Sequence, residues 1–265
     1  MSRSTRHLAG PLRLLAAASI IVSACGGASA PALSDPTEIV TAALRTTESA
    51  KSVHVELTLD GSISADLTGG GGSGAAIALT GTTASADVDI AAGNAHATFT
   101  IPAFLGLTGD LIQIGDTSYI KTSLTGAQYQ TQKTADALPI DPTDTKSLVD
   151  NVGDFLAKDG VDPVKGDDVA CGKVQCYTVK IQLTPEELNA LGADGPAASS
   201  LPIDVGAASL DLTIRVEKDT NHLAGIAATI ALGEQGSITL DLTMSLWDQP
   251  VTISPPPADQ IRAAS

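Results

Sequence analysis

Aromatic side chains are scarce in this sequence: one Trp, three Tyr and three Phe among 265 residues, 3% of the chain. Its core must therefore be built from Ala, Val, Ile and Leu, with Thr and Gly between them. Basic residues are also few, 15 Lys and Arg against 30 Asp and Glu, a formal net charge of -15. Phosphate binding needs clustered Lys and Arg, so a nucleic-acid partner is excluded. A polybasic peripheral membrane protein is excluded on the same ground. Cysteine occurs three times, at Cys25, Cys171 and Cys176. What the chain does have is apolar content, 43% of residues, ample for a packed core and too high for a disordered chain.

The N-terminus reads as a leader. Arg3, Arg6 and Arg13 are followed by a short apolar run from Leu14 to Val22, and then by Ser23-Ala24-Cys25. The run falls short of the ~20 residues that a spanning helix needs, and its order is that of a secretory signal. A Cys directly after the small residues gives the arrangement of a bacterial lipobox, in which Cys25 is diacylated and becomes the first mature residue. The sequence thus predicts a signal peptide at 1–24 and a lipidated, flexible tether at 25–34 (Gly26 to Ser34, GGASAPALS). A single domain at 35–258 and a short tail at 259–265 follow. The leader holds three Arg and no acid, so the remainder carries 12 basic against 30 acidic residues, a net of -18. The expected location is the extracytoplasmic side of the cell membrane, held there by lipid.

With Cys25 taken by lipid, Cys171 and Cys176 remain as a pair around four residues. In an oxidising compartment they are expected to form a disulfide. Closing so short a loop contributes only ~2 kcal/mol, so it is a local clip. The rival, half of a metal site, needs four ligands, and His54, His96 and His222 are scattered; no metal is expected.

Asp35-Pro36-Thr37-Glu38 has the pattern of a capped helix start, and Ile39, Val40, Ala43 and Leu44 supply its apolar stripe. The period then changes to two: Val53, Val55, Leu57 and Leu59 alternate with His54, Glu56, Thr58 and Asp60, a strand with one wet face. Further strands are expected over 84–90, 95–101, 110–114, 118–123, 128–132 and 174–183, with Gly115-Asp116 as a hairpin turn. The glycine run Gly69 to Gly72 lacks the ending and following helix of a phosphate cradle, and reads as a hairpin loop. A helix is expected around 146–158, with Leu148, Val152 and Phe155 on its apolar face, and a short capped one at 184–188. Three alternating strands around Leu212, Ala228 and Leu242 close the domain. The sum is an α+β fold, a large curled antiparallel sheet of about ten strands with a few helices over its concave face. Such a sheet either packs solid or encloses a cavity. The shortage of large aromatics points to an open interior, while an Ala-rich solid core fits the composition equally.

Catalytic patterns are absent. No Gly-x-Ser-x-Gly elbow occurs, and Ser118-Tyr-Ile-Lys121 lies in an expected strand, whereas a Ser-x-x-Lys pair needs one helix face. Asp141/Asp144 and Asp87/Asp89 lack the Gly and terminal Glu of a calcium loop. The histidines fall at polar positions and read as solvated. Nothing assembles a nucleophile, a base and an orienting partner, so no enzyme activity, catalytic residue or cofactor is expected.

Four segments carry a resemblance: Ala50-Lys-Ser-Val-His-Val-Glu-Leu57; Gly115-Asp-Thr-Ser-Tyr-Ile-Lys121 running on to Tyr129; Arg215 to Ile226; and Leu242 to Ile253 before a proline run. With the lipobox, their order resembles the LppX/LprG-type cell-envelope lipoproteins of actinobacteria, over nearly the whole chain from Pro36 to Pro257. The glycine-rich loop and the Cys171/Cys176 clip depart from that pattern. The resemblance implies a half-barrel sheet, similar to the periplasmic lipoprotein carriers, around a hydrophobic cavity that carries acylated lipids or glycolipids across the envelope. An envelope lipid transporter is a further candidate partner, one that no residue of the sequence identifies. Candidate lining residues are Val53, Val55, Leu57, Phe99, Ile101, Leu212, Ile214, Leu240 and Leu242, with Leu148, Val152 and Phe155 from the helix. Phe104 and Leu105, apolar residues in an expected loop, would form a flap at the cavity mouth. The competing class is an envelope interaction or antigen lipoprotein with a solid core.

Overall fold

The computed structural model describes residues 32–65, 75–134, 143–191 and 205–262. Ala32–Ser265 form one compact unit. In chain order its elements are α1 (Pro36–Ser49), β1 (Ser52–Ala65), β2 (Ala75–Ala78), β3 (Thr82–Asp89), β4 (Asn94–Ile101), β5 (Leu107–Ile114), β6 (Thr117–Thr122) and β7 (Gln130–Lys133). They continue with α2 (Thr145–Leu156), β8 (Val164–Lys165), β9 (Val169–Cys171), β10 (Val174–Leu183), α3 (Pro185–Ala190), β11 (Ser209–Glu217), β12 (Leu223–Ala231) and β13 (Gly236–Ser245).

All thirteen strands join one antiparallel sheet that does not close, in the order β7-β6-β5-β4-β3-β1-β13-β12-β11-β10-β8, with β2 on β1 and β9 on β10. Its centre is made by the first and last strands: Leu57 pairs with Leu242 on β13 and with Ala84 on β3. The sheet is larger than the sequence pattern suggests, because β2, β8 and β9 are too short or too Ala-rich to show alternation. The glycine run lies outside the described residues, but its flanks, β1 and β2, pair antiparallel from Ser62/Ala78 to Ala65/Ala75. The signal segment and Cys25 also lie outside them.

The helices start where the sequence places them, and for the stated reasons. Asp35 caps α1 by accepting from the Glu38 N–H at 2.8 Å, with Pro36 at the first helical position. Thr184 and Glu187 form a reciprocal capping box on α3. α1 lays Ile39, Val40 and Ala43 on Tyr177, Val179, Ile181 and Leu183 of β10 and Ile214 and Val216 of β11, with Phe155 and Leu156 of α2 packed against the same cluster. A second buried cluster, Ala50, Val53, Val88, Ala95 and Trp247, closes one end of the central strands.

Structured contacts extend into both segments flanking the domain. Leu33 packs on the helix-side cluster, and its N–H donates to Tyr177 Oη at 3.0 Å. At the other terminus Ile261 bridges Tyr129, and the Arg262 N–H donates to the Tyr129 carbonyl at 2.8 Å. Cys171 and Cys176 are joined in a disulfide across the β9–β10 turn.

Candidate functional site

Strand register turns the alternation seen in the sequence into rows across the inner, helix-bearing face. One row runs Phe99, Ala84, Leu57, Leu242, Ile226, Ile214, Val179 from β4 to β10. The next runs Thr82, Leu59, Leu240, Ala228, Leu212, Ile181 from β3 to β10. Neither row holds a charged side chain. Val179 and Ile214, beneath α1, are 0% and 4% exposed. Further along the same row Ile226, Leu242, Leu57, Ala84 and Phe99 are only half-buried. The apolar face is thus packed at the β10–β11 side and partly uncovered over β12, β13, β1, β3 and β4.

Side-chain size gives that stretch depth. Ala84, Ala86 and Ala97 lie near its middle, and on β5 the partner of Phe99 is Gly109. A Cβ at Gly109 would overlap the Phe99 ring, so the ring lies over the bare glycine backbone. Such a surface can bind hydrocarbon and has no group able to move a proton.

The candidate lining residues separate on this geometry. Leu57, Phe99, Ile101, Leu240 and Leu242 are half-buried and belong to neither packed cluster. Val55 and Leu212 are half-buried and pack against the edges of the two clusters. Val53, 5% exposed, and Ile214 sit inside the clusters, because Trp247 and Ala50 cover one and α1 the other. Phe155 packs against the cluster that contains Ile214, and Val152 is half-buried on α2. The Leu148 side chain lies outside the described residues. Phe104 and Leu105 are in a tight turn, 55% and 96% exposed. Leu124, 70% exposed in the β6–β7 connection, carried no sequence signal, since one Leu in a loop is common.

The outer face is polar. His54, His96 and His222 are not simply solvated, as their polar positions suggest; each meets carboxylates on neighbouring strands or turns. His54 Nδ1 lies 2.7 Å from Asp87 and His96 Nε2 3.2 Å from Asp110. His222 stacks on Trp247 with Glu217 and Asp248 at 3.9 and 3.8 Å. Among the described residues no three His, Cys, Asp or Glu come together as a metal site. Asp168 accepts from Lys218 at 2.7 Å and Lys165 at 2.9 Å. Those two hydrogen bonds, Lys218 first, hold its carboxyl below the usual range and outweigh the opposing effect of burial. A concavity of about 460 Å³ over β1, β3, β4 and β5 is lined by Glu56, Thr58, Thr83, Ser85, Thr98, Thr100 and Thr108 together with Leu57, Ala84, Phe99 and Gly109 of the apolar row, a mixed lining of hydroxyl and apolar groups.

No protein-family model and no curated protein matches the sequence. Solved structures do match. LprF from Mycobacterium bovis aligns over 83% of this chain and 96% of its own, with a TM-score of 0.52 and 19% identity. The Mycobacterium tuberculosis lipoprotein LppX aligns over 83% and 100%, with a TM-score of 0.50 and 21% identity. A LolA-superfamily protein from Nitrosomonas europaea aligns at a TM-score of 0.28, too low to add to the argument. The half-barrel expected from the sequence is present, and the fold of the chain is similar to that of LprF and LppX.

Proposed function

We propose that this protein is a lipid-anchored envelope lipoprotein that binds acylated lipids or glycolipids on the uncovered apolar face of its half-barrel and carries them between membranes. The observation that supports the reading most directly is the half-exposed row Phe99, Ala84, Leu57, Leu242, Ile226, apolar throughout and continuous with a packed core. The likeness in fold to LprF and LppX is consistent with it.

The physics of the task needs no catalysis. Each CH2 that leaves an apolar environment for water costs about 0.8 kcal/mol, so a sixteen-carbon chain meets a barrier of roughly 12 kcal/mol on leaving a bilayer. A groove that excludes water from the chain lowers most of that barrier. In this reading Cys25 carries the anchor, the protein is not an enzyme, and an envelope transporter supplies or receives the lipid. With a net charge of -18 after removal of the leader, neutral or sugar-headed lipids are favoured over polyanionic ones.

The test is a titration of the Ala32–Ser265 unit with a fluorescent fatty-acyl probe, followed by competition. Saturable binding displaced by a neutral glycolipid supports the reading. Absence of binding would leave an envelope interaction protein whose inner face is covered by its own chain. Stronger displacement by a phosphoinositide than by a glycolipid would overturn the head-group assignment.

A further inference from the structure

Exposed apolar residues are concentrated at one end of the sheet. Three of the six exposed large hydrophobics among the described residues, Phe104, Leu105 and Leu124, occupy two neighbouring connections, β4–β5 and β6–β7. Antiparallel strands bring both connections to the same end, and hydrogen bonds tie them together. The Ser123 N–H donates to the Thr108 carbonyl at 2.9 Å, and the Thr108 N–H donates to Ser123 Oγ at 3.2 Å.

The β4–β5 turn is braced rather than slack. The Phe104, Gly106 and Leu107 N–H groups donate to the carbonyls of Ile101, Pro102 and Phe104. Within it Leu105 holds φ 57°, left-handed backbone that disfavours a branched aliphatic residue, and its side chain is 96% exposed. A Leu kept in that conformation, pointing into solvent, has no packing reason in this chain. The two connections, residues 101–109 and 122–128, hold no charged residue in a chain of net charge -15. Beside them the Arg262 guanidinium donates to the Thr125 carbonyl at 2.9 Å.

We propose that this end of the sheet is a membrane-contact tip, with Phe104, Leu105 and Leu124 entering the headgroup–acyl boundary of a bilayer. The chemistry favours that partner. Uncharged loops enter the interface without desolvating an ion, Phe and Leu gain apolar surroundings, and Arg262 lies where lipid phosphates would be. The tip rests on the carrier reading for its purpose: it brings the neighbouring end of the apolar face, with Ile101 and Phe99, to the surface from which a lipid is taken or to which it is delivered.

The test uses the Ala32–Ser265 unit and sucrose-loaded phosphatidylcholine vesicles in a sedimentation assay. Wild-type protein is expected to partition onto the vesicles. A triple variant, Phe104→Ser with Leu105→Asn and Leu124→Ser, is expected to partition at least about tenfold more weakly. Leu105→Asn alone suits the left-handed backbone, so it keeps the fold and is expected to weaken partitioning about threefold or more. Equal partitioning of wild type and both variants, or no partitioning of the wild type, would overturn the tip. The fatty-acyl probe read on the same samples separates the two claims. Probe binding without vesicle binding refutes the tip and leaves the carrier reading standing, whereas vesicle binding lost in the variants without probe binding does the reverse.

Discussion

Leu57 and Leu242 face each other across the β1–β13 pair, half-buried and outside both packed clusters. If their row is a lipid-binding surface, polar truncation there must weaken binding more than it weakens the fold. Full burial of a Leu contributes about 1.5–3 kcal/mol, so removing a half-buried one costs about 1 kcal/mol of stability. For a domain of this size that is a fall in Tm of about 2–4 °C per side chain. A bound acyl chain loses contact with both side chains in Leu57→Ser, Leu242→Ser, which is expected to weaken the fatty-acyl probe about tenfold or more. Ile181, fully buried beneath α1, is the control. Ile181→Ala leaves a void, costs about 2–5 kcal/mol, and lowers Tm by roughly 4–20 °C with the probe affinity of the folded protein unchanged. The assay pairs thermal unfolding by circular dichroism with probe titration. A double variant that loses stability on the scale of two full cavities and keeps its affinity would refute the reasoning, because the row would then be packed core.

Three further outcomes are expected. The Asp168 carboxyl is held below its usual range chiefly by the Lys218 and Lys165 ammoniums, so its contribution is present above the ordinary carboxylate pKa and is lost as pH falls through the lowered value. Chemical denaturation should therefore separate Asp168→Asn from wild type by about 0.2–1 kcal/mol near pH 7 and bring them together in strong acid; a gap that widened on acidification would contradict this. Replacing Cys171 and Cys176 together by Ser should cost about 2 kcal/mol in denaturant melts, with no change in probe affinity, since the clip joins β9 to β10, outside the strands that carry the uncovered part of the row. Gly109→Val should drive the Phe99 ring from its place and lower stability by about 1–3 kcal/mol, whereas Gly153→Ala, with open space around its Cβ position and no left-handed backbone, should leave Phe99 and probe binding unaffected.

Much of the fold can be read from local pattern. The caps at Asp35 and Thr184 and the period-two runs at Val53–Leu59 and Leu240–Met244 each carry their own signal, because capping and alternation act within a few residues. The order of the sheet does not. β1 pairs with β13, almost two hundred residues away, and nothing in either strand names the other. Strand pairing also hides the His54–Asp87 and His96–Asp110 pairs, 33 and 14 residues apart, which look like lone wet-face residues until the strands align. The site is legible to the same depth. Alternation places Val53 and Leu57 on one face, yet of the two only Leu57 is left half-exposed, because Trp247 arrives from the far end of the chain to join Ala50 over Val53.

The central claim, that the uncovered apolar row holds a lipid, is tested most directly by native mass spectrometry. The Ala32–Ser265 unit, lacking Cys25 and therefore any anchor of its own, is purified without detergent from a mycolic-acid-bearing host. The account predicts a reproducible excess mass that extracts into organic solvent as an acylated lipid and is lost in Leu57→Ser, Leu242→Ser. A clean protein mass in wild type, together with no binding of the fatty-acyl probe, would contradict it.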